Sequence, residues 1–355
     1  MFKILSINPG STSTKVGVFI DKNPLFIEKL SHSVDEINKY KKIKDQYEYR
    51  LKNILNILKY RNLDFKSLDA VVSRGGLLKP LESGTYLINE LMLEHLKESE
   101  YGEHAANLGA IIANEISSLY NIPGFIVDPI VVDELQDCAR FSGISEIKRK
   151  SIFHALNQKA IAKRYARENA LTYENLNLIV AHLGGGISVA CHKGGRIIDV
   201  NNALNGEGPF SAERSGELPA FDLVKMCFSG HYTEDEILRK IAGKGGMVSY
   251  LNTNDMVYVL DKVESLDREY TMVYDAFIYQ IGKEIGKCAV VLKGEVDSII
   301  ITGGIAYSKK VVRDIEDMVK FIARVIAYPG EDELLALVQG VLRVLNHEEK
   351  IKEYV

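Results

Sequence analysis

Three apolar runs in this chain each end in a turn of small residues. Ile4-Leu5-Ser6-Ile7 leads into Asn8-Pro9-Gly10-Ser11-Thr12-Ser13-Thr14, Leu178-Ile179-Val180-Ala181-His182-Leu183 into Gly184-Gly185-Gly186, and Ile299-Ile300-Ile301-Thr302 into Gly303-Gly304-Ile305. A short continuous apolar run bounded by turn residues predicts a buried strand. The first two runs continue alike. After the first turn, Lys15-Val16-Gly17-Val18-Phe19 reaches a polar hairpin turn at Asp21-Lys22-Asn23-Pro24; after the second, Ile187-Ser188-Val189-Ala190-Cys191 reaches one at Lys193-Gly194-Gly195-Arg196. Both predict strand, small-residue turn, strand, hairpin turn, strand. The repetition suggests a duplicated α/β domain with a hairpin phosphate clamp in each copy.

Between these runs the apolar period changes to that of a helix. Ile43, Tyr47, Leu51, Ile54, Leu55 and Leu58 recur at helical spacing, and residues 152–166 and 270–291 predict two further helices. Residues 69–76 and 125–128 read as buried strands ending in functional turns. Residues 333–344 are amphipathic. The expected organisation is a first domain over 1–150, a second over 151–330, and a tail over about 331–355 that packs back on the first.

At 355 residues the chain is long enough for two domains and a large core. Its 44 basic and 48 acidic side chains give a net charge of −4, so there is no bulk drive toward nucleic acid or an anionic membrane. The lysines among residues 43–58 read as a solvated helix face. No apolar run approaches the roughly 18 residues of a membrane helix. The first residues enter a strand at once and leave no room for a signal peptide. Cys138, Cys191, Cys227 and Cys288 are dispersed and form no CxxC pair, as expected of reduced thiols in the cytoplasm.

The chemistry is set by the residues at the strand ends. There is no P-loop pattern and no GxGxxG; Gly206-Glu207-Gly208 is succeeded by Pro209. No HExxH or clustered His/Cys set predicts a protein-ligated zinc. Glycine turns let a backbone approach a phosphate, and their N–H groups form an anion nest. Three such turns with polar strand ends suggest a nucleotide held between two halves of a molecule. Phosphoryl transfer then needs in-line positioning, Mg²⁺, and cations or donors on the equatorial oxygens. Arg74 in Ser73-Arg74-Gly75-Gly76, Arg214 in Glu213-Arg214-Ser215-Gly216, and His182 supply the cations and donors; Asp128 and Glu333 are candidates for a hydrated metal.

These residues carry a resemblance. Asn8 to Lys15, Gly75-Gly76-Leu77-Leu78-Lys79-Pro80, the segment from Val127 to Leu135, Phe153-His154-Ala155-Leu156-Asn157, His182 to Gly186, Asp199 to Ser211, Glu213-Arg214-Ser215-Gly216 and Thr302-Gly303-Gly304-Ile305 together resemble the acetate/butyrate kinase (acetokinase) family of the actin–hexokinase superfamily, most closely its butyrate kinase branch. The likeness spans nearly the whole chain. It implies two duplicated actin/hexokinase-like (ribonuclease H-like) α/β domains with a cleft between them. It also implies reversible transfer of phosphate from ATP to a short carboxylate, butyrate or a branched relative, with ATP/ADP and Mg²⁺ as cofactors. A small carboxylic acid is then the partner, and a homo-dimer or higher oligomer the assembly.

Residue by residue, the resemblance puts Asn8, Gly10, Ser11, Thr12 and Ser13 in the first phosphate clamp, and His182, Gly184, Gly185 and Gly186 in the second. Arg214 holds the phosphoryl group, Asp128 organises metal and water, and His154 contacts the transition state. Gly303, Gly304 and Ile305 match the adenosine side. Glu333 matches the metal-linked glutamate, with Glu331 and Asp332 sharing its register. His104, in Tyr101-Gly102-Glu103-His104-Ala105, resembles a family active-site histidine. His32, His95, His192, His231 and His347 read as ordinary. Two positions depart from the pattern. Val71 stands where acetate kinases place their first substrate arginine, with Arg74 in the histidine's place, and Val257 stands where relatives often carry arginine on the nucleotide side. A nucleotide-gated binding protein of actin or chaperone type shares the fold and stays open on fold alone; acetate or propionate kinase is the nearer alternative.

Overall fold

The computed structural model describes residues 1–33 and 35–355. The chain divides into two compact units: residues 1–132 with 155–157 and 332–355, and residues 133–154 with 158–331.

The first unit is built on a six-stranded sheet in the order β3-β2-β1-β4-β6-β5. Its strands are β1 (Lys3–Pro9), β2 (Ser13–Ile20), β3 (Asn23–Ser31), β4 (Ala70–Ser73), β5 (Thr85–Leu87) and β6 (Gly124–Val127). β1, β2 and β3 run antiparallel; β4 and β6 continue parallel to β1. β1 and β4 lie mid-sheet with helices on both faces, which is why they read as unbroken apolar runs. Side chains alternate across the sheet. Val16 and Val18 of β2 join Leu5, Ile7, Ile54, Leu58, Leu108 and Ile112 in a core under the helices Tyr47–Tyr60 and Asn107–Tyr120. Gly17 faces the other way, where Leu334 of the C-terminal helix Glu333–Leu345 packs close. That helix continues over β6, and Gly340 admits Val127 where any Cβ would collide with it.

The second unit holds a five-stranded sheet in the order β11-β10-β7-β8-β9. Its strands are β7 (Leu178–Leu183), β8 (Ile187–Lys193), β9 (Arg196–Val200), β10 (Ser298–Gly303) and β11 (Val325–Pro329). β7, β8 and β9 are antiparallel, and β10 and β11 run parallel to β7. Ile179, Ala181, Leu183, Val189, Ile299 and Ile301 face the helices Arg268–Val291 and Lys309–Val319. Leu178, Val180 and Ile300 face Ala162, Tyr165 and Ala166 of the helix Ala155–Glu168. The order β9-β8-β7-β10-β11 repeats β3-β2-β1-β4-β6, so the sequence repeat is a repeat of topology.

Three boundaries differ from expectation for local reasons. The helix expected from 152 begins at Ala155: Phe153 is buried and His154 lies outside the helix, with its ring stacked on another. The helix expected from 270 begins at Arg268, because the Asp267 carboxylate caps Glu269 and Tyr270. The first hairpin turn is the pair Asp21-Lys22, with Asp21 at φ 50° and its carboxylate accepting the Phe2 N–H at 2.8 Å. Pro24 instead enters edge strand β3, where proline is tolerated. Among the described residues no helix is long and apolar enough to cross a membrane.

Candidate active site

In the first unit, β1 delivers Asn8 to the start of the turn and Gly10 N–H donates to the Ser13 carbonyl at 2.7 Å. The turn is braced from the protein side. Arg50 is buried and donates to the carbonyls of Gly10 (2.7 Å) and Ser11 (2.9 Å) and to the Thr14 hydroxyl (3.2 Å), while Gln46 accepts from its Nε at 3.0 Å. Burial pushes its pKa down and Tyr49 opposes the shift, yet a guanidinium stays charged. Ser11 and Thr12 are left at the surface. Arg50 escaped the sequence reading because it sits inside an apolar helical stripe, where an arginine is ordinarily a snorkelling edge residue. Its spacing from Tyr47 and Ile54 was the available signal.

Arg74, directly after β4, and Asn8 share one partner. Arg74 Nη1 donates to Glu333 Oε1 at 2.7 Å, and Asn8 Nδ2 donates to Glu333 Oε2. The Arg74 Nε is buried with no hydrogen-bond partner among the described residues. Glu333 opens its helix, where a carboxylate complements the helix dipole. Its neighbour Asp332 is the N-cap, accepting the Leu335 N–H at 3.4 Å. Asp128 has partners of its own. Its Oδ1 accepts from the Ser83 hydroxyl (2.6 Å) and the Gly84 N–H (2.8 Å), and its backbone sits at φ 39°. Such backbone strain gathers at functional sites. His104 Nδ1 accepts the Ala106 N–H at 3.1 Å, at the start of the helix Asn107–Tyr120. Val71 is wholly buried in β4.

In the second unit the turn between β7 and β8 carries Gly184, Gly185 and Gly186. Gly186 has a specific reason to be glycine: a Cβ there would coincide with the Arg214 guanidinium. Arg214 Nη1 donates to the Ala203 carbonyl, and its N–H donates to Ser211 Oγ at 3.1 Å. Ser211 in turn donates to the Gly185 carbonyl at 2.5 Å, tying the arginine to the turn. Burial pushes the Arg214 pKa down and Glu213 opposes it. The ring of His182 lies flat on that of His154, centroids 3.8 Å apart and planes at 10°. His154 Nδ1 meets Ser188 Oγ at 2.9 Å, and the Gln158 amide also donates to that hydroxyl at 2.8 Å. Glu331 comes within 3.1 Å of His182 Nε2. The structure therefore separates three neighbours that share one register: Glu331 meets His182, Asp332 caps, and Glu333 meets Arg74 and Asn8. The sequence reading gave Ser211 no role and named Glu331 only as sharing the register of Glu333, since each acts through a partner distant in sequence.

A cavity of about 380 Å³ opens beside this turn, lined by Gly184, Gly185, Glu213, Met256, Val257, Gly304 and Ile305 among others, and by Glu331. Ligand pockets run from about 300 Å³ upward. Gly304 faces open space, whereas Gly303 lies at φ 90° with its backbone against Leu183. Val257 is exposed on the cavity wall at the start of the helix Met256–Glu264. Glycine turns with apolar Ile305 and Met256 nearby fit a nucleotide. For Mg²⁺, no group of three acidic, histidine or cysteine side chains capable of holding a metal exists among the described residues. Both Glu333 oxygens are engaged, while Asp128 has Oδ2 to offer. That fits a cation which takes one or two carboxylates and leaves the rest of its shell to water and phosphate.

Residues 144–328 match the acetokinase family. The chain is 59% identical over 354 residues to butyrate kinase 1 of Clostridium acetobutylicum, covering 100% of both chains. It is 57% identical over 353 residues to butyrate kinase 2 of the same organism, covering 99% of both. In fold it is similar to an acetate kinase from Porphyromonas gingivalis, with a TM-score of 0.78 at 19% identity, over 97% of this chain and 100% of that one. It is also similar to a propionate kinase from Francisella tularensis, with a TM-score of 0.74 at 19% identity, over 96% and 99%.

Proposed function

The chain belongs to the acetokinase family, and from that premise we propose that it is a butyrate kinase, phosphorylating butyrate or a branched relative with ATP. It is a carboxylate kinase of short-chain fatty acids and uses ATP/ADP. The carboxylate oxygen attacks the γ-phosphorus in line; the bond from that phosphorus to the β,γ-bridging oxygen breaks and its electron pair leaves with ADP. The products are an acyl phosphate and ADP, and the reaction is reversible.

The observation that carries this reading is the Arg214 guanidinium lying against Gly186 and tied through Ser211 to the clamp. It is a fixed cation beside a turn made for phosphate, positioned before any charge develops. Gly184 to Gly186 hold nucleotide phosphates through backbone N–H groups, and Gly303, Gly304 and Ile305 form the adenosine side. His182 donates to the phosphoryl group, and the stacked His154 keeps its ring in place while contacting the transition state. Arg74 takes the substrate carboxylate and Asn8 a phosphate oxygen, both being paired with Glu333 before substrate binds. Asp128 would hold Mg²⁺ through water, with Glu333 as the second carboxylate of that side. The metal, when bound, balances phosphate charge. Gly10, Ser11, Thr12 and Ser13 complete the first clamp, with Arg50 bracing it; His104 lines the same side. The free thiols of all four cysteines suit a reducing cytoplasm, and the enzyme works as a homo-oligomer.

Trapping with hydroxylamine tests the activity. Purified enzyme with ATP, Mg²⁺ and butyrate should yield coloured hydroxamate in step with ADP. Slow ATP hydrolysis without hydroxamate would instead mark a nucleotide-gated binding protein.

A further inference from the structure

A row of polar side chains leads away from His154 beneath the helix Ala155–Glu168. Ser188 and His192 stand four residues apart on one face of β8, and Gln158 reaches both from the helix. Ser188, Gln158 and His192 are fully buried, so each polar atom must find its partner inside the protein. From His154 the contacts run Nδ1 to Ser188 Oγ (2.9 Å), Oγ to Gln158 Nε2 (2.8 Å), Gln158 Oε1 to His192 Nε2 (3.0 Å) and His192 Nδ1 to the Tyr173 hydroxyl (2.8 Å). One further contact fixes the direction of all the others. The Gln158 amide also donates to the Ser188 backbone carbonyl at 3.1 Å, and a carbonyl can only accept. The amide nitrogen of Gln158 therefore faces Ser188, and its oxygen faces His192.

The remaining roles follow in turn. An amide oxygen only accepts, so His192 carries its proton on Nε2. Burial, with Lys159 adding to it, keeps that ring neutral, so its Nδ1 accepts and Tyr173 donates. At the other end, Ser188 Oγ accepts from Gln158 and has one proton to give. Among the described residues its only other partner is His154 Nδ1. That nitrogen therefore accepts. A proton on it would leave the Ser188 hydroxyl buried without an acceptor. We propose that this chain of hydrogen bonds holds His154 as a neutral donor with its proton on Nε2, and that Ser188 and Gln158 are positioning residues for phosphoryl transfer. The proposal rests on the reading that His154 contacts the transition state. A ring fixed in this form offers a hydrogen bond to a phosphoryl oxygen as charge gathers there, and the bond is oriented in advance. It takes no proton from the substrate, because a carboxylate is already ionised at neutral pH.

Nuclear magnetic resonance of the full chain labelled with 15N-histidine tests the tautomer directly, because the two ring nitrogens resonate far apart when one is protonated and the other is not. The His154 signals, assigned by their loss in His154→Ala, should show a bare Nδ1 and a protonated Nε2 at neutral pH. A proton on Nδ1, or on both nitrogens, overturns the proposal. Kinetics with ATP, Mg²⁺ and butyrate test the positioning role. Ser188→Ala should lower kcat about 10–100-fold and leave KM for ATP within about twofold, while Ser188→Thr, which keeps the hydroxyl, should recover most of the loss. On the His154→Ala background, Ser188→Ala should cost nothing further, since its effect passes through that ring. A further loss of about tenfold there, or a Ser188→Ala enzyme with wild-type kcat, also overturns the proposal. The functional reading fails separately, by a His154→Ala enzyme of unchanged kcat or by a chain that makes no acyl phosphate, whereas the ring signals decide the tautomer in either case.

Discussion

Arg214 and His192 show how burial gives a single side chain opposite consequences. Arg214 keeps its charge despite burial, bonded to the Ala203 carbonyl and lying against Gly186. A cation serving the transferred phosphoryl group is worth about 10³–10⁵ in turnover. Arg214→Ala should therefore cut kcat by that factor while the melting temperature moves little; steady-state assay with a thermal melt checks both, and a variant keeping a tenth of wild-type kcat removes the assignment. His192 gives up its charge instead. It is wholly buried between the Tyr173 hydroxyl (2.8 Å) and the Gln158 side-chain Oε1 (3.0 Å). Burial, with Lys159 adding to it, pushes its pKa well below 6.5. The unfolded chain then binds the proton that the folded chain refuses. Stability contributed by this residue is present above pH 6.5 and lost progressively as pH falls below it. Urea unfolding on either side of pH 6.5 should show that loss, and His192→Gln should remove it.

At the scale of elements, the β7–β8 turn is where sequence and structure agree most closely. A buried strand ending in small residues has few alternatives, so both strand–turn–strand units and the hairpins behind them were legible, as were the long helices to within a few residues. What escaped was whatever depends on a distant partner. Glu333 meets Arg74 across 259 residues, and only the folded sheet sets that separation. Arg50 was hidden because its partners are turn carbonyls, which carry no side-chain signal. The turn also makes a prediction. Gly186→Ala would drive a methyl group into the Arg214 guanidinium without touching the sheet beneath. Activity should fall about 10–100-fold, as when a supporting contact is lost, with the unfolding midpoint nearly unchanged. An active Gly186→Ala enzyme would show that Arg214 does not need its present seat.

For the whole molecule, the topology repeated in both units matches the actin/hexokinase-like fold, and the preferred acid separates the branches of the family. Each methylene buried in a fitting pocket contributes about 0.8 kcal/mol, and discrimination by one methylene runs about 10–200-fold. Two methylenes separate acetate from butyrate, so kcat/KM for butyrate should exceed that for acetate by well over tenfold. A series from acetate to valerate, with isobutyrate, decides it; acetate equal to butyrate would leave a carboxylate kinase of another branch. The first unit is also discontinuous in sequence, with residues 332–355 completing a body begun by residues 1–132. On a ribosome working at about 5–20 residues per second, β1 to β6 emerge some tens of seconds before the helix that covers one face of their sheet. During that interval the face around Gly17 and Val127 is bare and adhesive. Transiently exposed apolar surface of this kind makes a partly synthesised chain prone to aggregate until the last helix arrives.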